Sequence, residues 1–259
     1  MELNFIFGGL FSKRVDASPN FKVKKLSIII PAYNEEQTIT QVLKNVLDLP
    51  LYGNIEKEMI VINDCSKDST AKQIDDFVAS NQDHNIISFH QPVNKGKGAA
   101  IHKGIELASG DHIVIQDADL ELEPSDINRL LEGLAQGDAQ VVYGSRFLRN
   151  DHQNTKFVWH IMGNGFLTKL SNVFTGFRLT DMMTCYKLVP ADMLKKIELK
   201  ENRFGFEPEV TLKLSKIKGL KIKEVPISYI ARNKEEGKKI SSKDGMRVIY
   251  CILKYSFRK

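Results

Sequence analysis

Asp117, Asp119 and Glu121 stand at alternate positions directly after the apolar run HIVIQ (residues 112–116), and Pro124 opens the segment that follows. Carboxylates this close repel one another unless a cation sits among them. Hard oxygen donors with no neighbouring His or Cys suit Mg2+ or Mn2+, and Mg2+ usually binds through one or two carboxylates together with substrate phosphates. A solvated acidic loop could carry the same letters. The pattern gains weight from its place at the end of a buried strand.

The elements that must position these residues can be read from hydrophobic period. Residues 26–31, 59–62, 86–89, 112–116 and 139–143 read as strands, with helical segments at 35–49, 68–79, 98–108 and 125–134 between them. Strands rich in Ile and Val, separated by single helices, predict an α/β fold: a doubly wound, mostly parallel sheet with helices on both faces. In such sheets ligands sit beyond the carboxyl ends of the strands. The residues there are Pro31-Ala-Tyr-Asn-Glu35, Asn63-Asp-Cys-Ser66, Gln91-Pro-Val-Asn94, Asp117-Ala-Asp119 and Gly144-Ser-Arg146, a polar and acidic set. The second half predicts helices at 157–174, 207–217 and 244–257 and strands at 183–188 and 220–230. The last helix carries an apolar stripe of Val248, Ile249, Ile252, Leu253 and Tyr255. With no repeat or linker, residues 26–259 read as one domain behind an N-terminal arm, residues 1–25.

Taken together, Ile30-Pro-Ala-Tyr-Asn-Glu-Glu36, Asn63-Asp64 with Ser66, Asp68 and Thr70, Asn94-Lys-Gly-Lys-Gly98, Ala108-Ser-Gly-Asp111, Asp117-Ala-Asp-Leu120 and Gly144-Ser-Arg146 resemble family 2 glycosyltransferases of the GT-A fold. Within that family the chain is most similar to the branch of dolichyl-phosphate mannose synthases and bacterial polyprenyl-phosphate glycosyltransferases, from about Leu26 to Tyr255. The resemblance implies a nucleotide-sugar half at about 26–146 and an acceptor half at about 147–259. Pro31, Tyr33, Glu35 and Asp64 would line the nucleotide pocket, with Asp64 receiving the base. Asp117 and Asp119, with Glu121 where mannose synthases often carry Gln, would hold the metal on the nucleoside diphosphate. Arg146 would clamp phosphate, since guanidinium binds oxyanions bidentately. Asp181 matches an acidic position facing the sugar, although Thr184-Cys185 replaces the family's Ser-Gly after it. The NKGKG turn is not a Walker loop, because GxxxxGK[ST] is absent.

On the acceptor side, Glu207 and Glu209 are candidate bases for a sugar hydroxyl, or alternatively first-turn carboxylates of a helix. Arg232, Lys234, Lys238 and Lys239 resemble the family's Arg...Gly...Ser-Lys loop, which contacts donor and acceptor phosphates. One extra residue separates Arg232 from the glycine, and Lys238 takes the place of the Ser. A polyprenyl phosphate acceptor needs charge compensation rather than a strong base, because its oxygen is already anionic near neutral pH.

Charge supports that division. Lys and Arg number 37 against 32 Asp and Glu, a net of +5, yet residues 216–259 hold 13 bases and 4 acids while the preceding 215 residues hold 24 bases and 28 acids. A basic tail of +9 on an acidic body of −4 suggests a polyanionic partner. Three cysteines without CxxC spacing argue against a disulfide framework or a cysteine zinc site and fit a reducing compartment. No run approaches the 18 or more apolar residues of a membrane span, and MELNFIFGGLFSKR lacks the form of a secretory signal. Phe5, Ile6, Phe7, Leu10 and Phe11 form an apolar cluster that could meet a membrane or pack on the body.

The expectation is therefore a metal-dependent inverting hexosyltransferase. It would move mannose or glucose from a GDP- or UDP-sugar to a polyprenyl phosphate, with Mg2+ or Mn2+. Its place would be cytoplasmic, peripheral on an anionic membrane surface, with no nucleic-acid partner. Two other readings stay open: transfer to a glycan or protein hydroxyl, with Glu207 or Glu209 as base, and a non-catalytic module that binds nucleotide sugar or nucleic acid.

Overall fold

The computed structural model describes residues 21, 23–148, 158–230 and 242–257. The apolar cluster of the arm and the basic set Arg232, Lys234, Lys238 and Lys239 lie outside the described residues. The strands are β1 (Lys25–Ala32), β2 (Glu56–Asn63), β3 (Ile86–His90), β4 (His112–Ile115), β5 (Val141–Ser145), β6 (Lys187–Pro190) and β7 (Ile222–Pro226). The helices are α1 (Ile39–Asp48), α2 (Thr70–Ser80), α3 (Lys97–Leu107), α4 (Asp126–Ala135), α5 (Val158–Thr175), α6 (Ala191–Lys196), α7 (Phe206–Leu214) and α8 (Ser242–Phe257).

The seven strands form one sheet in the order β3-β2-β1-β4-β6-β5-β7. The pairs β1–β2, β2–β3, β1–β4 and β5–β7 are parallel, while β6 runs antiparallel to both β4 and β5. The expected doubly wound, mostly parallel α/β sheet is present. Alternation along β1 explains both covered faces: Leu26, Ile28 and Ile30 enter a core shared with Ile39, Val42 and Leu43 of α1 and Leu130 of α4. Ile29 enters the opposite core with Ile101 of α3, Val210 of α7 and Ile252 of α8. Pro31 is in register with Ile62 of β2, but on its other side β4 stops pairing at Ile29, so a residue without an N–H is tolerated there.

The structure shifts several expected boundaries, each for a local reason. α1 starts at Ile39 and not at Glu35, since Asn34 takes a left-handed turn (φ 51°) first. Residues 183–186 are not strand: Tyr186 is drawn inward, its hydroxyl donating to Gln116 Oε1 at 2.5 Å and to the Glu123 carbonyl at 2.9 Å. β7 ends at Pro226, and the chain rejoins only as a bridge between Leu122 and Tyr229. α6 was not anticipated. The stripe expected on α8 is largely a packing face: Val248, Ile252 and Tyr255 are buried with Cys251, while Leu253 is exposed.

Ala108-Ser-Gly-Asp111 proves to be a fastening at the amino ends of the strands. Asp111 Oδ2 accepts from the backbone N–H of Lys24 and Lys25, at 2.7 and 2.9 Å. Ser109 and Ser27 donate to the buried Glu58 carboxylate. Burial alone would raise the Glu58 carboxyl, but these hydrogen bonds and Lys25 hold it below its ordinary range.

Glu201 fastens α8 to the body. Its buried carboxylate accepts from Arg247 at 2.7 Å, Lys254 Nζ at 2.8 Å and the Tyr255 hydroxyl at 2.8 Å. Burial pushes this carboxyl up, but the three donors outweigh it and hold it down at about 2, against an ordinary value of 4.5. A carboxyl depressed in the folded state stabilises above its unfolded pKa and loses that contribution as pH falls. Protection of the α8 amides, measured as exchange relative to the intrinsic rate at each pH, should therefore be high at neutral pH and fall as pH drops from about 4.5 toward 2. Glu201→Gln should abolish that pH dependence and raise α8 exchange already at pH 7.

Candidate active site

The sheet delivers its polar residues to one edge, and the backbone there is strained. Asn34 (φ 51°), Cys65 (φ 59°) and Leu120 (φ 57°) take left-handed conformations after β1, β2 and β4, where non-glycine residues are uncommon. Side chains zip the loops together. Asn34 N–H donates to Ser66 Oγ at 3.0 Å, Lys67 N–H to Asn34 Oδ1 at 2.9 Å and Glu35 N–H to Thr70 Oγ1 at 2.8 Å. Thr38 Oγ1 donates to the Ala118 carbonyl at 2.7 Å, which ties the first loop to the Asp117-Ala-Asp119 turn. Pro31, Tyr33 and Glu35 thus sit in a rigid corner beside that turn.

Asp64, expected to receive the base, is buried and already filled. Gln91 Nε2 and Lys95 N–H donate to one oxygen at 3.0 and 2.8 Å, and Asn94 Nδ2 and Gly96 N–H to the other at 2.9 and 2.7 Å. It therefore shapes the 91–96 turn. Gly96 (φ 100°) and Gly98 allow the 201–203 turn to close over this loop, since an added Cβ would lie 2.5 Å from the Asn202 carbonyl oxygen and 2.2 Å from that of Glu201.

Asp117 lies in a triangle with Lys97 and Cys185. Lys97 Nζ is 2.6 Å from Asp117 Oδ1, Cys185 Sγ donates to Asp117 Oδ2 at 2.7 Å, and Lys97 Nζ is 2.8 Å from the sulfur. Burial pushes the Asp117 carboxyl up, but the Lys97 ammonium overrides it and keeps the group ionised. Burial, reinforced by Asp117, pushes the Cys185 thiol well up, so it remains protonated.

The three carboxylates of the turn do not converge. Among the described residues no group of three or more metal-ligating side chains comes together. Leu120 turns the chain, Glu121 N–H donates to Asp119 Oδ1 at 3.1 Å, and the Glu121 side chain receives the Tyr229 hydroxyl at 2.8 Å. Of the metal set expected as Asp117, Asp119 and Glu121, the last is thus engaged by Tyr229. The hard oxygens of Asp117 and Asp119 would fit Mg2+ or Mn2+ where a diphosphate supplies further ligands. The Lys97 ammonium already places positive charge against Asp117.

Arg146 and Asp181 form a bidentate charge pair. The guanidinium donates to both carboxylate oxygens, Nε to Oδ2 at 2.7 Å and Nη2 to Oδ1 at 2.8 Å, and Arg146 N–H adds a third bond at 3.2 Å. Burial would lower the Arg146 pKa, but Asp181 outweighs it and raises the value. Asp181 is 0% exposed. The carboxylate expected to face the sugar thus directs Arg146. Glu224 in turn accepts Thr180 N–H and Asp181 N–H at 2.7 and 3.0 Å. The Arg146 guanidinium lies 5.1 Å from the Tyr229 ring centre, within cation–π range.

Both candidate bases on α7 are buried and occupied. Glu207, 4% exposed, pairs with the buried Lys187 ammonium. Glu209, 0% exposed, accepts from Lys200 N–H, Glu201 N–H and Lys213 Nζ. It fixes the turn that leads into α7.

Lys97, Cys185, Glu224 and Tyr229 belong to this constellation, and sequence reasoning gave them no firm role. Tyr229 had one usable signal, its place beside the basic loop, while Glu224 and Cys185 are recruited by strands from other parts of the sheet.

The edge therefore presents carboxylates, an ammonium and a guanidinium on a doubly wound sheet. The sequence profile of glycosyl transferase family 2 matches residues 27–198, and the chain belongs to that family. It is a glycosyltransferase. A dolichyl-phosphate beta-glucosyltransferase of Trichomonas vaginalis is 29% identical over 244 residues, covering 88% of this chain and 72% of that protein. An uncharacterised protein of Methanocaldococcus jannaschii is 30% identical over 236 residues, covering 88% of this chain and 98% of its own length. An undecaprenyl-phosphate 4-deoxy-4-formamido-L-arabinose transferase of Proteus mirabilis is 33% identical over 136 residues, 52% of this chain and 40% of that one. The solved structure of glucosyl-3-phosphoglycerate synthase from Mycobacterium tuberculosis with Mn2+, UDP and phosphoglyceric acid superposes with a TM-score of 0.67 at 21% identity, covering 91% of this chain and 80% of that one. The fold is that of the GT-A glycosyltransferases.

Removing one partner of a buried ion pair leaves the other charge uncompensated, typically at about 3–5 kcal/mol. Asp181→Ala should lower stability by about 3 kcal/mol or more on that basis, read as a fall in the thermal midpoint. A midpoint unchanged from wild type would show that Arg146 finds another partner.

Proposed function

We propose that the protein transfers a hexose from a nucleotide sugar to a polyprenyl phosphate, with inversion, at the surface of a membrane on its cytoplasmic side. The observation that carries this reading is the state of α7: Glu207 and Glu209 are both buried and both committed to other groups. A hydroxyl acceptor needs a base with an open oxygen within hydrogen-bond reach. A phosphate monoester, whose second pKa is about 6, brings an anionic oxygen and needs none. The names of the relatives from Trichomonas vaginalis and Proteus mirabilis, which act on dolichyl and undecaprenyl phosphates, support the same acceptor class. Glucose and mannose fit as donor sugars, carried on UDP or GDP. Among the described residues no helix is long and apolar enough to cross a membrane, and a surface-bound enzyme accords with that.

In this mechanism the acceptor phosphate oxygen attacks the anomeric carbon from the face opposite the diphosphate. The new carbon–oxygen bond forms as the bond to the β-phosphate oxygen breaks, and the nucleoside diphosphate leaves with the electron pair. Asp117 and Asp119 would hold Mg2+ or Mn2+, which when bound neutralises charge on the diphosphate. Lys97 and Arg146 supply fixed positive charge toward the leaving group. Asp181 orients the guanidinium, so little reorganisation is needed when charge develops. Pro31, Tyr33 and Glu35 line the nucleotide side, and Asp64 sets its floor by holding the 91–96 turn. Arg232, Lys234, Lys238 and Lys239 compensate the donor and acceptor phosphates.

Asp119→Ala should abolish transfer, a loss of about a thousandfold or more, while leaving circular dichroism and the thermal midpoint near wild type. Full metal-independent activity in that variant would sink the metal assignment. Acceptor chemistry is tested separately. With radiolabelled UDP-glucose or GDP-mannose and Mg2+ or Mn2+, product should form on polyprenyl phosphate and not on the corresponding polyprenol. Equal transfer to the alcohol would favour a hydroxyl-directed enzyme and return Glu207 to the role of base.

A further inference from the structure

α8 buries one apolar row and exposes another. Met246, Tyr250, Leu253 and Phe257 follow one another at helical spacing on its outer side, with Phe257 79% exposed. On α5, Phe166, Val173 and Phe174 are also exposed, Val173 at 77%. The Phe174 and Phe257 rings meet edge to face at 5.8 Å, which joins the two rows into one continuous face. Large apolar side chains grouped in this way on a soluble surface mark an interaction site.

The charge around the face selects the partner. From Val158 to Thr180 the chain holds Lys169 and Arg178 and no acid, and both basic residues are exposed. α8 holds Lys243, Arg247 and Lys254 against one acid, Asp244, with Arg247 and Lys254 also paired to Glu201 of the body. Tyr250 lies between the last two cations, 5.0 Å from the Arg247 guanidinium and 5.7 Å from Lys254 Nζ. An aromatic ring flanked by basic groups on an amphipathic helix suits the boundary between lipid headgroups and acyl chains. A second copy of the chain would bring the same positive rim against itself, which disfavours self-association through this face.

We propose that the paired outer faces of α5 and α8 dock on an anionic lipid bilayer. Phe166, Val173, Leu253 and Phe257 enter the headgroup region, and Lys169 and Arg178 contact anionic headgroups. The assignment rests on the reading that the acceptor is membrane-borne. It adds which surface of the protein faces the membrane, and that surface shares only Leu253 with the α8 stripe legible in the sequence.

Sedimentation with phosphatidylglycerol-containing vesicles, in the absence of donor, metal and acceptor, tests the face directly. Wild type should bind anionic vesicles at low salt, bind phosphatidylcholine vesicles weakly, and be released as salt rises. The combined variant Val173→Ser, Leu253→Ser, Phe257→Ser should bind anionic vesicles at least about tenfold more weakly. Its transfer to a water-soluble short-chain polyprenyl phosphate should match wild type, which also shows that it is folded. Lys169→Glu with Arg178→Glu, which leaves the apolar rows intact, should weaken binding to anionic vesicles alone. Wild-type protein that does not bind anionic vesicles overturns the proposal, as do variants that bind like wild type. So does a wild-type dimer in solution that the combined variant dissociates. Failure of wild type to use the short-chain acceptor would count against the acceptor reading, while vesicle binding reports on the docking face alone.

Discussion

Carboxylates buried at the carboxyl edge of a sheet must each be given positive charge or N–H donors, and that requirement organises this molecule. Asp64 is met by two backbone and two side-chain donors, Asp117 by an ammonium, Asp181 by a guanidinium and Glu207 by Lys187. Each partner comes from a different part of the chain. An isolated ionised carboxylate at such depth would cost far more than a small domain's net stability. The edge can therefore assemble only when the sheet is complete.

The same compensation sets the chemistry. Cations placed to balance protein carboxylates are where a diphosphate would also lie. A metal bound to Asp117 and Asp119 would meet Lys97 at the first of them, so the ammonium and the diphosphate-bound ion share one region of charge. Arg146 differs: three hydrogen bonds from it to Asp181 leave it oriented before any substrate arrives. Lys97 is the mobile kind of cation, a flexible stem with a compact charge, and Arg146 the fixed kind.

Much of the fold was legible because its strands are uniformly apolar and its helices periodic. Ile28, Ile29 and Ile30 announce a strand buried on both faces, and that alone predicts a parallel sheet with two cores. Position at strand ends likewise exposed Asp117, Asp119, Arg146 and Asp64. What stayed hidden depends on pairing between distant segments. Nothing local marks β6 as antiparallel, since LVP looks the same in either direction. Nor could spacing say that Glu121 would turn to Tyr229, 108 positions away. Ser109-Gly-Asp111 carries the letters of a site motif, yet lies at the amino ends of the strands and fastens Glu58 and Lys25. The α8 stripe left its cover open, because period shows that a helix has an apolar face but does not say what lies against it; here the helix has two, one packed and one exposed.

The two apolar rows of α8 impose opposite demands that Glu201 reconciles. A helix whose outer row favours an apolar environment could be drawn from the body unless its inner side were held by more than Val248, Cys251, Ile252 and Tyr255. Arg247, Lys254 and Tyr255 supply that hold by converging on one buried carboxylate. Because the Glu201 and Asn202 carbonyls also lie against Gly98 and Gly96, the residue that anchors α8 belongs to the turn that shapes the 91–96 loop beneath Lys97 and Asp117. The distance between the exposed face and the diphosphate region is thus fixed by packed backbone. If the acceptor carries its reactive phosphate at a membrane surface, as proposed, a fixed distance is what positioning requires.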